Sequence, residues 1–197
     1  MDAFLETERL ALRRFISADV ESLFSLHSDP DVMRFLDGGR GTSRREVERE
    51  YRERFAKDGY WAAIERATGD FVGWFGFHPR GDRGPHEFEL GYRIRRSAWG
   101  QGYATEASRA LIRKGFTELG ARRVFAETMA VNLASRRVMV KSGLKYVRTF
   151  HEDWSNPIAG AEQGEVEYAL TRAAWERDEA EVLPWAPARN GTTYSPK

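Results

Sequence analysis

Cysteine is absent from the 197 residues, which excludes disulfides, a thiolate nucleophile and a cysteinyl acyl intermediate. Histidine is scarce. His27, His78, His86 and His151 show no HxxxH or comparable ligand spacing, and no metal site is expected. No apolar run approaches the length of a membrane span and no signal-peptide pattern opens the chain, so no membrane association and a cytoplasmic location are expected. Net charge is slight as well: 31 Lys and Arg against 30 Asp and Glu leave +1, without a block of one sign. Nucleic acid is therefore not an expected partner. Small basic clusters (Arg93, Arg95, Arg96; Arg136, Arg137) read as solvated surface, or as partners for an anionic ligand if one binds nearby.

What is present suits one folded domain. Hydrophobic residues make up 41% and aromatic residues 13%, enough for a sizeable core in a chain of this length. The expected domain covers 1–183, and 184–197, with three prolines and small polar residues, reads as a flexible tail. The patterns predict a strand over 9–14 and a helix over 17–27 capped by Ser17, with Asp29-Pro30-Asp31 breaking it and a short helix from Pro30. A third helix over 43–55 opens on a Ser43-x-x-Glu46 capping box. Strands follow over 60–66, 71–79 and 87–95, the first two joined by the turn Ala67-Thr68-Gly69-Asp70. Further elements are a helix over 102–119, a strand over 124–128, a helix over 132–142, strands over 144–151 and 165–170, and a helix over 173–182. The order is mixed α/β (α+β), with strands in hairpins and one strand–helix–strand unit at the centre.

That unit carries the most informative segment, Arg96-Ser97-Ala98-Trp99-Gly100-Gln101-Gly102-Tyr103-Ala104-Thr105-Glu106-Ala107. A helix N-terminus presents unpaired N–H groups and partial positive charge, so a glycine-rich turn opening a helix can cradle a pyrophosphate without lysine. No Walker A run exists. In a dinucleotide fingerprint Gly100 and Gly102 fit, but Thr105 stands where the third glycine belongs. In an acyl-CoA loop Gly100, Gly102 and Ala104 fit, while Ser97 replaces the usual Gln or Arg.

Around this loop the motifs fall in order: Glu89-Leu90-Gly91-Tyr92 in the preceding strand, Trp99-Gly100-Gln101-Gly102-Tyr103-Ala104-Thr105-Glu106-Ala107, then Asn132-Leu133-Ala134-Ser135, then Lys141-Ser142-Gly143-Leu144. With Thr7-Glu8-Arg9-Leu10 at the start, residues 5–172 resemble the GCN5-related N-acetyltransferases (GNAT), more narrowly their RimJ/RimL-like branch. The resemblance implies a GNAT fold: a central, mixed, mostly antiparallel sheet of six to seven strands, flanked by helices on both faces, with a CoA cleft between two splayed central strands. It implies acetyl-CoA as cofactor, an amine acceptor as partner, and sometimes a homodimer paired through strands near the C-terminus. The acceptor would be a protein N-terminus or a small-molecule amine.

The chemistry follows. An alkyl amine is mostly protonated at neutral pH and must lose a proton before it attacks a thioester, so a general base is needed. Strand alternation puts Glu87, Glu89, Gly91 and Arg93 on one face, and Glu89 is the expected base, with partial desolvation raising its pKa. The other reading pairs Glu89 structurally with an arginine such as Arg93, and Glu87 is the next candidate. From the resemblance, backbone groups of Tyr92, Arg93 and Ile94 would polarise the thioester, and Asn132 would bond the pantetheine arm. Many members carry a tyrosine seven residues after that asparagine as general acid. Met139 stands there, so Ser135 is the expected contact to the CoA sulfur; its alternative is a first-turn serine satisfied by backbone.

The pyrophosphate would meet the backbone amides of Trp99, Gly100, Gln101, Gly102, Tyr103 and Ala104, with the Thr105 hydroxyl added and the Trp99 ring packed beneath. Acceptor-side candidates are Trp74, His78, His151, Asp153 and Trp154, whose alternative reading is ordinary core and surface. Two other functions stand beside acetyl transfer: a non-catalytic acyl-CoA-binding module of the same fold, and an unrelated nucleotide-binding domain with Glu127 as its isolated ribose acid.

Overall fold

The computed structural model describes residues 3–154 and 156–182, so the tail expected over 184–197 lies outside the described residues. Eight strands form one sheet: β1 (Leu5–Glu6), β2 (Leu10–Arg13), β3 (Tyr60–Glu65), β4 (Phe71–Pro79), β5 (Glu87–Ile94), β6 (Arg123–Met129), β7 (Lys145–Phe150) and β8 (Glu165–Thr171). Their order is β1-β2-β3-β4-β5-β6-β8-β7, antiparallel throughout except for β5 with β6. The count exceeds the expected six to seven because Leu5 and Glu6 pair with Leu12 and Ala11 as a two-residue edge strand, too short to carry a pattern.

Helices cover both faces: α1 (Val20–His27), α2 (Pro30–Met33), α3 (Arg44–Glu50), α4 (Tyr103–Thr117), α5 (Leu133–Lys141) and α6 (Arg172–Val182). The core accordingly divides in two. Alternate residues of the central strands, such as Phe75, Phe77, Leu90 and Val124, pack with Leu111 and Phe116 of α4. Trp74 packs with Leu23 and Leu26 of α1, Val47 of α3 and Phe55. Fully burying each such side chain contributes roughly 1.5–3 kcal/mol. Among the described residues no helix is long and apolar enough to cross a membrane.

The capping box over Ser43 forms as read, with Ser43 N–H donating to Glu46 Oε2 at 2.9 Å and Glu46 N–H to Ser43 Oγ at 3.4 Å. The chain then continues past Glu50 as a π-helical turn, Tyr51–Phe55. The start of α1 differs from expectation. Ser17–Asp19 is a 3-10 turn, and Asp19 rather than Ser17 secures it, accepting from Ile16 N–H at 2.8 Å while Arg13 clamps both its carboxylate oxygens at 2.7 and 2.8 Å.

Candidate active site

The site begins where two strands part. β5 and β6 pair only from Glu87–Arg123 to Glu89–Phe125, although β5 runs on to Ile94 and β6 to Met129. Beyond Glu89 a gap opens along the β6-facing edge of β5. At the two ends of the β4–β5 pair, Arg80 N–H donates to Glu87 O (2.8 Å) and Arg95 N–H to Val72 O (2.9 Å). Antiparallel alternation therefore turns the backbone of Glu89, Gly91 and Arg93 toward β4, and that of Leu90, Tyr92 and Ile94 toward the gap. Tyr92 and Ile94 thus face the expected cleft. Arg93 does not: its backbone bonds β4, and its side chain lies over Trp74, 5.3 Å from the ring. Burial lowers the Arg93 guanidinium to about 10, with Glu50 opposing that shift.

The glycine loop closes one end of the gap. Gly100 (φ 74°) and Gly102 (φ 85°) adopt the left-handed conformation that a Cβ disfavours. The first intrahelical bond of α4 runs from Glu106 N–H to Gly102 O at 3.0 Å, so the amides of Tyr103, Ala104 and Thr105 precede the ladder. The loop is tied from outside. Glu106 accepts from Thr7 Oγ1 (2.6 Å), Arg9 N–H (2.9 Å) and Arg9 Nε (2.7 Å), and Arg9 also donates to Gln101 O at 2.9 Å. Gln101 Nε2 bonds Ser97 O at 2.9 Å. Tyr103 sends its ring into the core, its hydroxyl donating to Glu65, and contributes only its amide to the loop surface. Trp99 departs from expectation twice. Its amide is taken by Arg96 O at 3.1 Å, and its indole is half exposed, donating to Ile94 O at 2.7 Å rather than packing beneath the loop.

The N-terminus of α5 flanks the same gap. Asn132 is its cap: Oδ1 accepts from Ser135 N–H at 3.2 Å, and Nδ2 donates to Thr128 Oγ1 at 3.1 Å. One N–H of that amide remains for a ligand. The Ser135 hydroxyl is engaged not by backbone but by the Tyr92 phenol, at 3.0 Å, and the same phenol donates to Ser135 O at 3.1 Å. Burial pushes the Tyr92 hydroxyl up to about 12, partly offset by the Ser135 bond. Sequence reasoning used Tyr92 only for its backbone, and no spacing signal ties residues 43 positions apart. Met139 is buried in the core, away from this role.

The opposite face of the sheet carries the carboxylates. Glu89 is a half-exposed partner of Arg80 (2.9 Å), so its arginine is Arg80 and not Arg93. Glu87 pairs with Arg123 at 2.6 Å, and Glu127 with Arg83 at 2.6 Å. Glu167 is bound by Arg83 (3.1 Å), Arg148 (3.0 Å) and Arg123. Burial alone would raise Glu167, but these arginines together hold it below the usual carboxylate range. Among the described residues Glu165 has no such partner. It is 7% exposed, and its Oε1 is buried without a hydrogen bond. Burial, then the charges of Glu152 and Glu127, push Glu165 up to about 7. The alternation Glu165-Val166-Glu167-Tyr168 was the one sequence signal for it, acids on one face of a closing strand.

The acceptor-side candidates disperse. Trp74 is buried, its Nε1 3.4 Å from His27 Nε2, beneath Arg93 and Arg54. His78 stands opposite Glu89 on β4, with Nε2 3.0 Å from the Tyr60 hydroxyl. His151 is exposed, 3.3 Å from Glu162 O, and Asp153 is exposed with Trp154 half buried in the segment after β7. Further along, Ile158 lies against the α2–α3 loop, where an added Cβ at Gly38 would meet it at 3.2 Å, and an added Cβ at Gly160 would meet Val131 at 2.6 Å. Among the described residues no His, Asp and Glu cluster is arranged to hold a metal ion.

A family model described as "Acetyltransferase (GNAT) domain" matches residues 9–145. The FsC-acetyl coenzyme A-N(2)-transacetylase of Aspergillus fumigatus is 35% identical, over 93% of this chain and 84% of its own. An acetyltransferase of the GNAT family from Bacillus anthracis superposes with a TM-score of 0.73 over 86% of this chain and 98% of its own, at 26% identity. Spermidine N-acetyltransferase from Vibrio cholerae, solved with CoA and spermine, shares the fold with a TM-score of 0.69 over 85% of this chain and 98% of its own, at 15% identity.

Proposed function

The chain belongs to the GNAT acetyltransferase family, and from that premise we propose that it moves an acetyl group from acetyl-CoA to a primary amine by direct transfer in a ternary complex. The RimJ/RimL-like branch is the part of the family its loop and N-x-x-S motif favour. The observation that carries the reading is the gap between β5 and β6. It runs from the left-handed glycine loop at one end to the Tyr92–Ser135 hydroxyl pair along its side.

The residues present fit acetyl-CoA. The pyrophosphate needs amide donors and partial positive charge, and the amides from Gly100 to Thr105 at the head of α4 offer both. Bound acetyl-CoA supplies an electrophilic thioester carbonyl. The backbone of Tyr92 and the N–H of Ile94, which face the gap, would hold the pantetheine chain, as would the remaining Asn132 N–H. Ser135 presents its hydroxyl to the sulfur and stabilises the charge that develops there on C–S cleavage. Proton removal from the acceptor falls to a carboxylate on the other face of the sheet, where Glu89 and Glu127 are paired with arginines and Glu165, among the described residues, is not. The carboxylates of this face suit a cationic amine. The Aspergillus relative, named for an acetyl coenzyme A N(2) transfer, supports an amine as acceptor.

The test is release of free thiol from acetyl-CoA against a panel of N-terminal peptides, polyamines, amino sugars and amino acids, with CoA affinity measured in parallel. Turnover on one acceptor class supports the reading and names the class. Tight CoA binding without turnover on any amine favours a non-catalytic acyl-CoA-binding module, and absence of CoA binding overturns the cofactor assignment.

A further inference from the structure

Four carboxylates on the acceptor face of the sheet are each engaged by arginine: Glu87 by Arg123, Glu89 by Arg80, Glu127 by Arg83, and Glu167 by Arg83, Arg123 and Arg148. Glu165 is the exception among the described residues. It is the first residue of β8, directly opposite Met129 at the gap end of β6. Register places Glu127 opposite Glu167, so Glu127 and Glu165 are diagonal neighbours on one face, a separation of roughly 7–8 Å or less. Isolating a carboxylate in a buried spot with no cation is costly for a fold, and nothing in the core packing calls for it. After β7, Glu152 places its charge near Glu165, and Ile158 meets the α2–α3 loop at Gly38.

We propose that Glu165 is the general base of this site, taking the proton from the acceptor ammonium. The proposal rests on the amine-acetyltransferase reading above. The ammonium gives one proton to the Glu165 carboxylate and becomes a free amine. Its nitrogen lone pair forms the C–N bond, the C–S bond breaks, and the nitrogen's second proton goes to the departing sulfur. Glu165 then returns its proton to water, so the net products are the amide, CoA thiol and one proton.

The groups facing Glu165 suit this work. Glu127 from β6 and Glu152 after β7 add negative charge, His151 beside them is turned to Glu162 O, and Glu167 on its own strand is neutralised by three arginines. A base that titrates near neutrality matches an ammonium far better than an ordinary carboxylate does.

The experiment measures kcat/KM against pH for wild type, Glu165→Gln, Glu165→Asp and Glu89→Gln, using whichever acceptor the panel identifies. A carboxyl titration of the free protein by NMR is run alongside. Expected is a wild-type rate that climbs through about pH 7. Glu165→Gln should lose roughly 100-fold in kcat and the pH limb while binding CoA as before, and Glu165→Asp should keep the limb at a lower rate. One glutamate carboxyl should titrate near 7 in the wild type and vanish in Glu165→Gln. A Glu165→Gln enzyme with wild-type rate and limb overturns the proposal, as does a glutamate set titrating wholly in the ordinary range. Loss of the limb in Glu89→Gln alone moves the base to Glu89. A wild type that binds CoA but turns over no amine overturns the transferase reading itself.

Discussion

Tyr92 and Ser135 show how much one hydrogen-bond arrangement decides. The phenol has one proton and two acceptors within reach, Ser135 O at 3.1 Å and Ser135 Oγ at 3.0 Å. When it donates to the carbonyl, the serine hydroxyl donates back to the phenol. When it donates to Oγ, the serine proton is freed to point at a neighbouring sulfur, with no heavy atom moved. Burial keeps the phenol protonated, its pKa pushed up to about 12, so Tyr92 acts through Ser135 by orientation and not by losing its own proton. The prediction is specific to that indirect role. Ser135→Ala should lower kcat roughly 10- to 100-fold, Tyr92→Phe about 10-fold, and the double variant no further than Ser135→Ala, with CoA affinity held in all three. Steady-state kinetics on the four proteins checks it, and additive losses would mean that Tyr92 contributes separately.

At the level of elements, the glycine loop is a rigid cradle and not a mobile flap. Its two left-handed residues are fixed by chain geometry, and Arg9 and Glu106 tie it to the N-terminal strands. Gly102→Ala places a side chain at φ 85°, with its Cβ 3.5 Å from Arg9 Nη2. That strain should cost on the order of 1 kcal/mol and tilt the amides of the first turn, weakening CoA about tenfold by calorimetry while leaving the fold intact. An unchanged affinity would count against the amide cradle. The loop, the β5–α4–β6 unit and the Ser43–Glu46 cap were legible because each is local: turn glycines, a period of two or 3.6, and a box of four residues. What escaped depends on partners distant in sequence or set by register. Asp19 displaces Ser17 as cap because Arg13 on β2 clamps it. Glu89 meets Arg80, one residue beyond β4, instead of Arg93, because β5 runs antiparallel to β4 and Arg93 lies over the Trp74 ring. Glu165 could be seen as acidic, but only the assembled sheet shows that Arg83, Arg123 and Arg148 gather on Glu167 and leave Glu165 Oε1 buried without a hydrogen bond.

The whole molecule carries these carboxylates with opposite signs, and its stability should register both. Glu106, held by Thr7 and Arg9 against its burial, and Glu167, held by Arg123, Arg148 and Arg83, lie below the ordinary value of 4.5. The folded state therefore releases their protons more readily than the unfolded chain. Their stabilisation is present above 4.5 and is lost as pH falls through the lowered values. Glu165 runs the other way: raised from 4.5 to about 7, it favours the folded state fully below 4.5, and that contribution is lost as pH rises through about 7. Relative to Glu165→Gln, the wild type followed by denaturant unfolding from pH 3 to 9 should thus lose on the order of 3 kcal/mol of stability between about pH 4.5 and 7. Glu165→Gln should keep the acid limb and abolish the neutral decline, ending more stable than wild type at pH 8. Wild-type and Glu165→Gln curves that run parallel from pH 5 to 8 would sink the assignment. The base is needed ionised in the pH range where its charge destabilises the fold most, so the enzyme's activity and its stability should favour opposite sides of neutrality, as expected of a functional group kept at a structural cost.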